Sequence, residues 1–205
     1  MDSDLFNGRF RAKKLSGTEE FKNTGGRHFS ILGLWQYGCS NFQFNLMRGM
    51  VAEFIVLNAL LDDVGDGARD PTKGFDFLYK DKKIEVKGAS YLQDFGEKRH
   101  TEITWSDLKA QDLYQRPTTK LDPNGHIAYP ADIYVLALLV HTDYPTLDIL
   151  DVRQWCFYVL SRERLRKICG DLNYLPIYKL DRHGATPVSF SGLPSAVDAC
   201  LKDPS

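Results

Sequence analysis

Gly74-Phe75-Asp76-Phe77-Leu78-Tyr79-Lys80-Asp81-Lys82-Lys83-Ile84-Glu85-Val86-Lys87-Gly88 is the stretch whose reading decides the fold. Two short strand-like runs flank a polar turn, which predicts a β-hairpin with Asp81-Lys82 as a two-residue loop. In that register Asp76 lies opposite Lys87 and Leu78 opposite Glu85. Because side chains alternate between the faces of a strand, Asp76, Glu85 and Lys87 then share one face, while Phe75, Phe77, Ile84 and Val86 fill the other.

Two carboxylates held close repel each other unless a cation sits between them. A hard divalent ion with oxygen ligands, Mg2+ or Mn2+, suits Asp76 and Glu85, and the neighbouring Lys87 can orient or deprotonate a water beside it. That combination is the chemistry of phosphodiester hydrolysis. The alternative at this point is an exposed hairpin whose charges only pair across strands.

Upstream, from about Asn41 to Asp62, Phe44, Met47, Met50, Val51, Phe54, Leu57, Leu60 and Leu61 recur at threes and fours, which predicts a buried amphipathic helix. Glu53 falls inside that stripe, where a carboxylate is costly unless a cation meets it; otherwise it lies at the stripe's edge and touches water. Gly49, one turn away, leaves room for another element or a substrate backbone.

Gly49-x-x-x-Glu53, then Gly74-Phe75-Asp76, then Glu85-Val86-Lys87 together resemble the PD-(D/E)xK nucleases, a group that includes many restriction endonucleases and Holliday-junction resolvases. Phe75 departs from the proline in the group's name. The resemblance spans roughly residues 43–160. It implies an α/β fold with a restriction-endonuclease-like core, a mixed central sheet flanked by helices in the order αβββαβ. By the same resemblance Glu53, Asp76 and Glu85 bind the catalytic metal and Lys87 positions the attacking water. Gln93, a few residues further on, is placed to contact substrate or water, or else is a plain loop amide. The pair Gln111-x-x-Tyr114 is similar to a helper motif of exonuclease-like members, in too few residues to carry weight.

With 205 residues, 43% of them apolar, the chain can bury one substantial core, so residues 28–205 are expected to form a single domain behind a flexible arm, residues 1–27. The net charge of −1 gives no independent sign of a nucleic-acid partner; any positive potential must be local, from Lys80, Lys82 and Lys83 or from Arg162, Arg164, Arg166 and Lys167, unless these form a solvated face. Cys39, Cys156, Cys169 and Cys200 lack zinc spacing and read as reduced thiols of a cytoplasmic protein. No secretory signal is legible, and the longest apolar run, Ile133 to Val140, is a buried strand, far too short for a membrane span.

Further strands are expected near His100 to Trp105, over Asp132 to Val140 and over Trp155 to Leu160; helices are expected from Asp107 after a Ser106 cap and from Ser161 to about Ile168. The connection over residues 116–130 is long enough to be substrate-facing or mobile. These readings converge on an endonuclease hydrolysing DNA with Mg2+ or Mn2+, and a homodimer would match the two-fold symmetry of duplex DNA. The rival is a catalytically silent nucleic-acid-binding or assembly module of the same fold. No P-loop and no His-rich metal motif is present to support a different hydrolase.

Overall fold

A computed structural model describes residues 5–6, 9–10, 12–62, 68–70, 73–93, 102–109 and 129–202. The hairpin is there, but its turn lies one residue earlier than expected. Strands β3 (Phe77–Tyr79) and β4 (Lys82–Ser90) pair antiparallel with Phe77 opposite Ile84, so the loop is Lys80-Asp81 and Leu78 faces Lys83 instead of Glu85. Both loop residues have positive φ, 49° and 61°, the mirror-image turn whose twist matches that of paired strands. The Asp76 N–H donates to Ile84 O at 2.9 Å although Phe77 is the ladder partner of Ile84, so the strand is bulged at Asp76. The bulge turns Phe75 toward a different core cluster from Phe77.

The chain forms a mixed α/β structure. Its four-stranded sheet runs β3, β4, β6 (Ile133–Leu139), β7 (Trp155–Ser161), with β4 and β6 parallel and the outer pairs antiparallel. Every residue of β6 is buried, as a central strand covered on both faces requires. On one face Ile133, Val135, Ala137 and Leu139 pack with Ala52, Ile55 and Val56 of helix α2 (Asn45–Leu60) and with Leu193 and Val197 of α5 (Leu193–Lys202). On the other, Tyr134, Leu136 and Leu138 meet Trp105, Leu175 and Leu165, the last on α3 (Arg162–Cys169). Ser161 caps α3 as expected, its hydroxyl accepting the Arg164 N–H at 3.1 Å, with Glu163 in the first turn and Arg166 and Lys167 in the last.

Three expectations fail for identifiable reasons. The strand expected near His100 to Trp105 is only Thr104–Ser106 (β5), and it leaves the central sheet to pair with β8 (Tyr174–Pro176); Trp105 Nε1–H donates to Ala137 O at 3.2 Å and pins this ribbon onto the sheet's face. The helix does not begin at the expected Ser106 cap, which instead ends β5: Asp107 has φ 54°, and the N–H groups of Leu108 and Lys109 are taken by the main chain and side chain of Asn173. Helix α2 is present, but only part of its expected stripe, Val51, Leu60 and Leu61, packs against the core. Arg48, Ala52, Ile55 and Val56 face inward, while Phe44, Met50 and Phe54 are exposed.

Small side chains decided that orientation. A Cβ built on Gly88 would stand 3.5 Å from Ala52 Cβ and 3.6 Å from Gly49 Cα, so helix and strand touch nearly backbone to backbone. Gly88→Ala should therefore fold normally, whereas Gly88→Val should lower stability by about 1–3 kcal/mol by prising α2 off β4. Urea unfolding of the two variants checks this, and equal midpoints would mean that the contact is loose.

Helix α1 (Ile31–Cys39), capped by Ser30, and α4 (Ile177–Arg182) were not anticipated. Strands β1 (Leu5–Phe6) and β2 (Arg9–Phe10) pair with each other, and a second turn brings Glu20 to Ser30 with Phe21 stacked on Phe29, their ring centroids 4.7 Å apart. The readings of Gln111-x-x-Tyr114, of residues 110–115 and of the connection up to residue 128 lie outside the described residues. No helix among the described residues is long and apolar enough to cross a membrane.

Candidate metal and catalytic site

Three separate elements bring Glu53, Asp76, Glu85 and Lys87 together. The bulge aims Asp76 so that its Oδ2 accepts the Val86 N–H at 2.7 Å, a bond a ladder carbonyl would otherwise take. Glu85 and Lys87, two apart on β4, bond directly, Nζ to Oε1 at 2.8 Å. Glu53 reaches in from α2, held there by the Gly49, Ala52 and Gly88 contact. All three carboxylates are largely shielded, with side-chain exposures of 13% for Glu53, 11% for Asp76 and 12% for Glu85.

Arg69, which the sequence reading missed, stands between two of them. Its Nε lies 2.5 Å from Glu53 Oε2 and its NH2 3.5 Å from Asp76 Oδ1. The signal for it was a lone cation in a stretch of sequence with Asp62, Asp63, Asp66 and Asp70, which reads as acidic until the Arg69 side chain is seen to meet Glu53. Three acids thus face two internal cations.

The acids carry that imbalance. Burial pushes Glu85 up to about 7, the charge of Asp76 adds to the rise, and Lys87 opposes it. Glu53 is raised by burial and then by Asp76, against the pull of Arg69. Burial also raises Asp76, opposed by the Val86 N–H, Arg69 and Lys87. Glu53 and Glu85 resist ionising partly because Asp76 is near, the condition that a shared cation relieves. Tyr134, beside Glu85 in the β4–β6 register, is buried there and its hydroxyl accepts the Ala131 N–H at 3.3 Å.

Whether an ion fits depends on Arg69. Among the described residues no three acids already stand where they could hold one ion together. Their chemistry suits a hard cation, yet Glu53 and Asp76 oxygens are committed to the guanidinium, which must move aside for them to close on an ion.

Gln93 is not among the acids. Its Nε2–H donates to Ser90 O at 3.0 Å, its Oε1 accepts from Arg48, and its main-chain carbonyl accepts the Tyr144 hydroxyl. It lines a polar cleft of about 270 Å³ with Asn45, Arg48, Gly88, Glu102 and Ser106. None of the acids lines this cleft; its nearest approach to them in sequence is through Gly49, one turn from Glu53, and Gly88, next to Lys87. Of the expected basic run, Arg162 is engaged by Ala131 O and Asp132, and Arg164 by His183 O; both brace the fold. Lys80 pairs with Asp198.

No family model, curated protein or solved structure matches this chain. The site is therefore read from its own geometry.

Proposed function

We propose that the protein is a divalent-metal-dependent endonuclease that hydrolyses DNA phosphodiester bonds on a restriction-endonuclease-like core, and that it works in the cytoplasm. The observation that carries this reading is the convergence of Glu53, Asp76, Glu85 and Lys87 from a helix, a bulge and a strand, with all three acids shielded and Asp76 raising the affinity of Glu53 and Glu85 for protons. A fold with no use for such a cluster gains nothing by assembling it.

In this reading Asp76 and Glu85 hold Mg2+ or Mn2+ and Glu53 completes the shell or that of a second ion; the ion supplies charge neutralisation at the scissile phosphate. Lys87 holds the attacking water by its ammonium and offsets negative charge as it builds on the phosphorus oxygens. The polar cleft beyond Gly88, with Gln93 and Asn45 on its walls, is where the adjoining nucleotide rests. Assay of the pure protein on plasmid, linear duplex and single-stranded DNA, with and without Mg2+, tests the whole reading. Cleavage that needs the ion supports it; no cleavage of any substrate at any Mg2+ or Mn2+ concentration refutes it.

One observation favours the rival, a silent nucleic-acid-binding module: Arg69 already neutralises Glu53 and Asp76. If Arg69 merely competes with the ion, Arg69→Gln should tighten Mg2+ binding by about ten-fold, the worth of a charge-assisted hydrogen bond. If it is a permanent structural partner, the variant should melt lower and bind no ion. Calorimetric titration with Mg2+, beside melting curves, separates the two.

A further inference from the structure

Helix α1 contradicts the usual relation between composition and environment. Its residues, Ile31-Leu32-Gly33-Leu34-Trp35-Gln36-Tyr37-Gly38-Cys39, are mostly apolar, and none of them is buried. Residues 32–38 are exposed on every side, with Tyr37 at 92%. A helix that is apolar all round belongs inside something, and nine residues alone are too few to hold a helix in water. Its ties to the rest of the chain are slight: Ile31 and Leu32 N–H groups donate to Glu19 O and Gly17 O, and Gly17 lies against Trp35.

Exposed apolar side chains do not stop with α1. From Phe29 to Phe54 nine large ones are exposed, and Leu46 (65%), Met50 and Phe54 (62%) of these lie on the outer stripe of α2. Beyond residue 54 such side chains are scattered singly from Leu78 to Tyr178. This accounts for the exposed part of the expected stripe of α2: its sequence is apolar on more than one side, and the core takes the side that carries Ala52, Ile55 and Val56.

We infer that a second copy of this chain covers the surface formed by α1 and the outer face of α2, making a two-fold homodimer. Two features of the surface choose this occupant. Residues 29–47 contain no charged side chain, so the patch offers no sign for an oppositely charged partner and none to repel its own copy. Half-exposed aromatic and leucine side chains present on the order of 100 Å² each, so nine offer up to roughly 900 Å², enough for the area each subunit contributes to a standard interface. A lipid surface fits poorly, because helices that lie on membranes carry Lys or Arg beside their apolar face and α1 has neither. The dimer stands on exposure and charge alone. Its use rests on the nuclease reading: Phe54 adjoins Glu53, so pairing through α2 would fix two catalytic clusters relative to each other, one for each strand of a duplex.

Sedimentation equilibrium of the full chain from about 1 to 100 µM tests this without reference to activity. A species of twice 23.4 kDa is expected. Leu34→Glu and Leu46→Glu, each placing an unpaired carboxylate in the interface, should weaken it about a hundred-fold or more, while Leu150→Glu, an exposed leucine elsewhere, should leave it unchanged. Since both target side chains are exposed in the monomer, far-UV circular dichroism should show the variants folded. Hydrogen exchange on the wild type needs no variant: amides of residues 31–47 should gain protection as concentration rises. A monomer at 100 µM, a dimer indifferent to both substitutions, exchange independent of concentration, or a monomer that instead pelleted with anionic phospholipid vesicles would each overturn the proposal. Dimerisation without DNA cleavage would leave it intact and count against the nuclease alone.

Discussion

Lys87→Ala should fold and bind the divalent ion like the wild type, yet lose about a hundred-fold or more in single-turnover DNA cleavage. The expectation follows from what its ammonium touches. It bonds Glu85 at 2.8 Å from a side chain that remains one-quarter exposed, so the head sits at the mouth of the cluster, where a water and a phosphate would arrive. Removing it takes a donor from the transition state, whereas the carboxylates that hold the ion remain. The Gly88 neighbourhood and the strand pairing use only its main chain, so melting should hardly change. Near-normal cleavage by the folded variant would contradict the mechanism. A large fall in melting temperature would instead mean that Lys87 serves as the partner of Glu85 and nothing more.

Glu85→Gln should abolish cleavage and, in metal-free buffer at pH 8, make the protein more stable. Glu85 ionises near the usual glutamate value of 4.5 when unfolded and at about 7 when folded, chiefly because it is buried and then because Asp76 is near. Between those values the folded state holds a proton that the unfolded state has lost, so stability falls as pH rises through this window and is fully present only below it. The neutral amide escapes that loss. Its melting temperature should exceed the wild type's at pH 8, by about 2–4 °C for each kcal/mol relieved, and the gap should close near pH 5. Mg2+ should raise the wild-type melting temperature more at pH 8 than at pH 6 and have little effect on the variant. If Glu85→Gln melts lower at pH 8, the Glu85–Lys87 pair is a structural ion pair and the site assignment is lost.

The hairpin, the helix of Glu53, the two long strands and the cap of α3 were all legible because each depends on neighbours in sequence: a polar turn, a repeat of threes and fours, an unbroken apolar run, a serine before an acidic turn. What escaped reading depends on contacts between distant residues. The bulge at Asp76 exists because its side chain can replace a ladder acceptor for Val86, which no pattern of alternation records. Asn173 decides that residues 107–109 are not helical, from more than sixty residues away. The inward face of α2 was read only in part, with Phe44, Met50 and Phe54 wrongly included, because hydrophobicity was weighed by size, whereas the close approach of Gly49, Ala52 and Gly88 selects for smallness. Arg69 was invisible for the same reason: nothing in its acidic surroundings says that its side chain meets Glu53.

The sheet's connectivity also sets an order of events. β3 and β4 join through a two-residue turn and can pair within microseconds, but Ile84 must wait for Ile133 before β4 gains its parallel neighbour, across a loop whose closure is the entropically slow step. The hairpin therefore carries Asp76, Glu85 and Lys87 as a wet, exposed trio early on, and their desolvation falls on the late arrival of β6 and α2. Ionised acids oppose that arrival and protonated ones do not. Refolding of the metal-free chain should accordingly run faster at pH 5 than at pH 8, so that the groups assigned to chemistry act first as a brake on the folding of the domain that houses them.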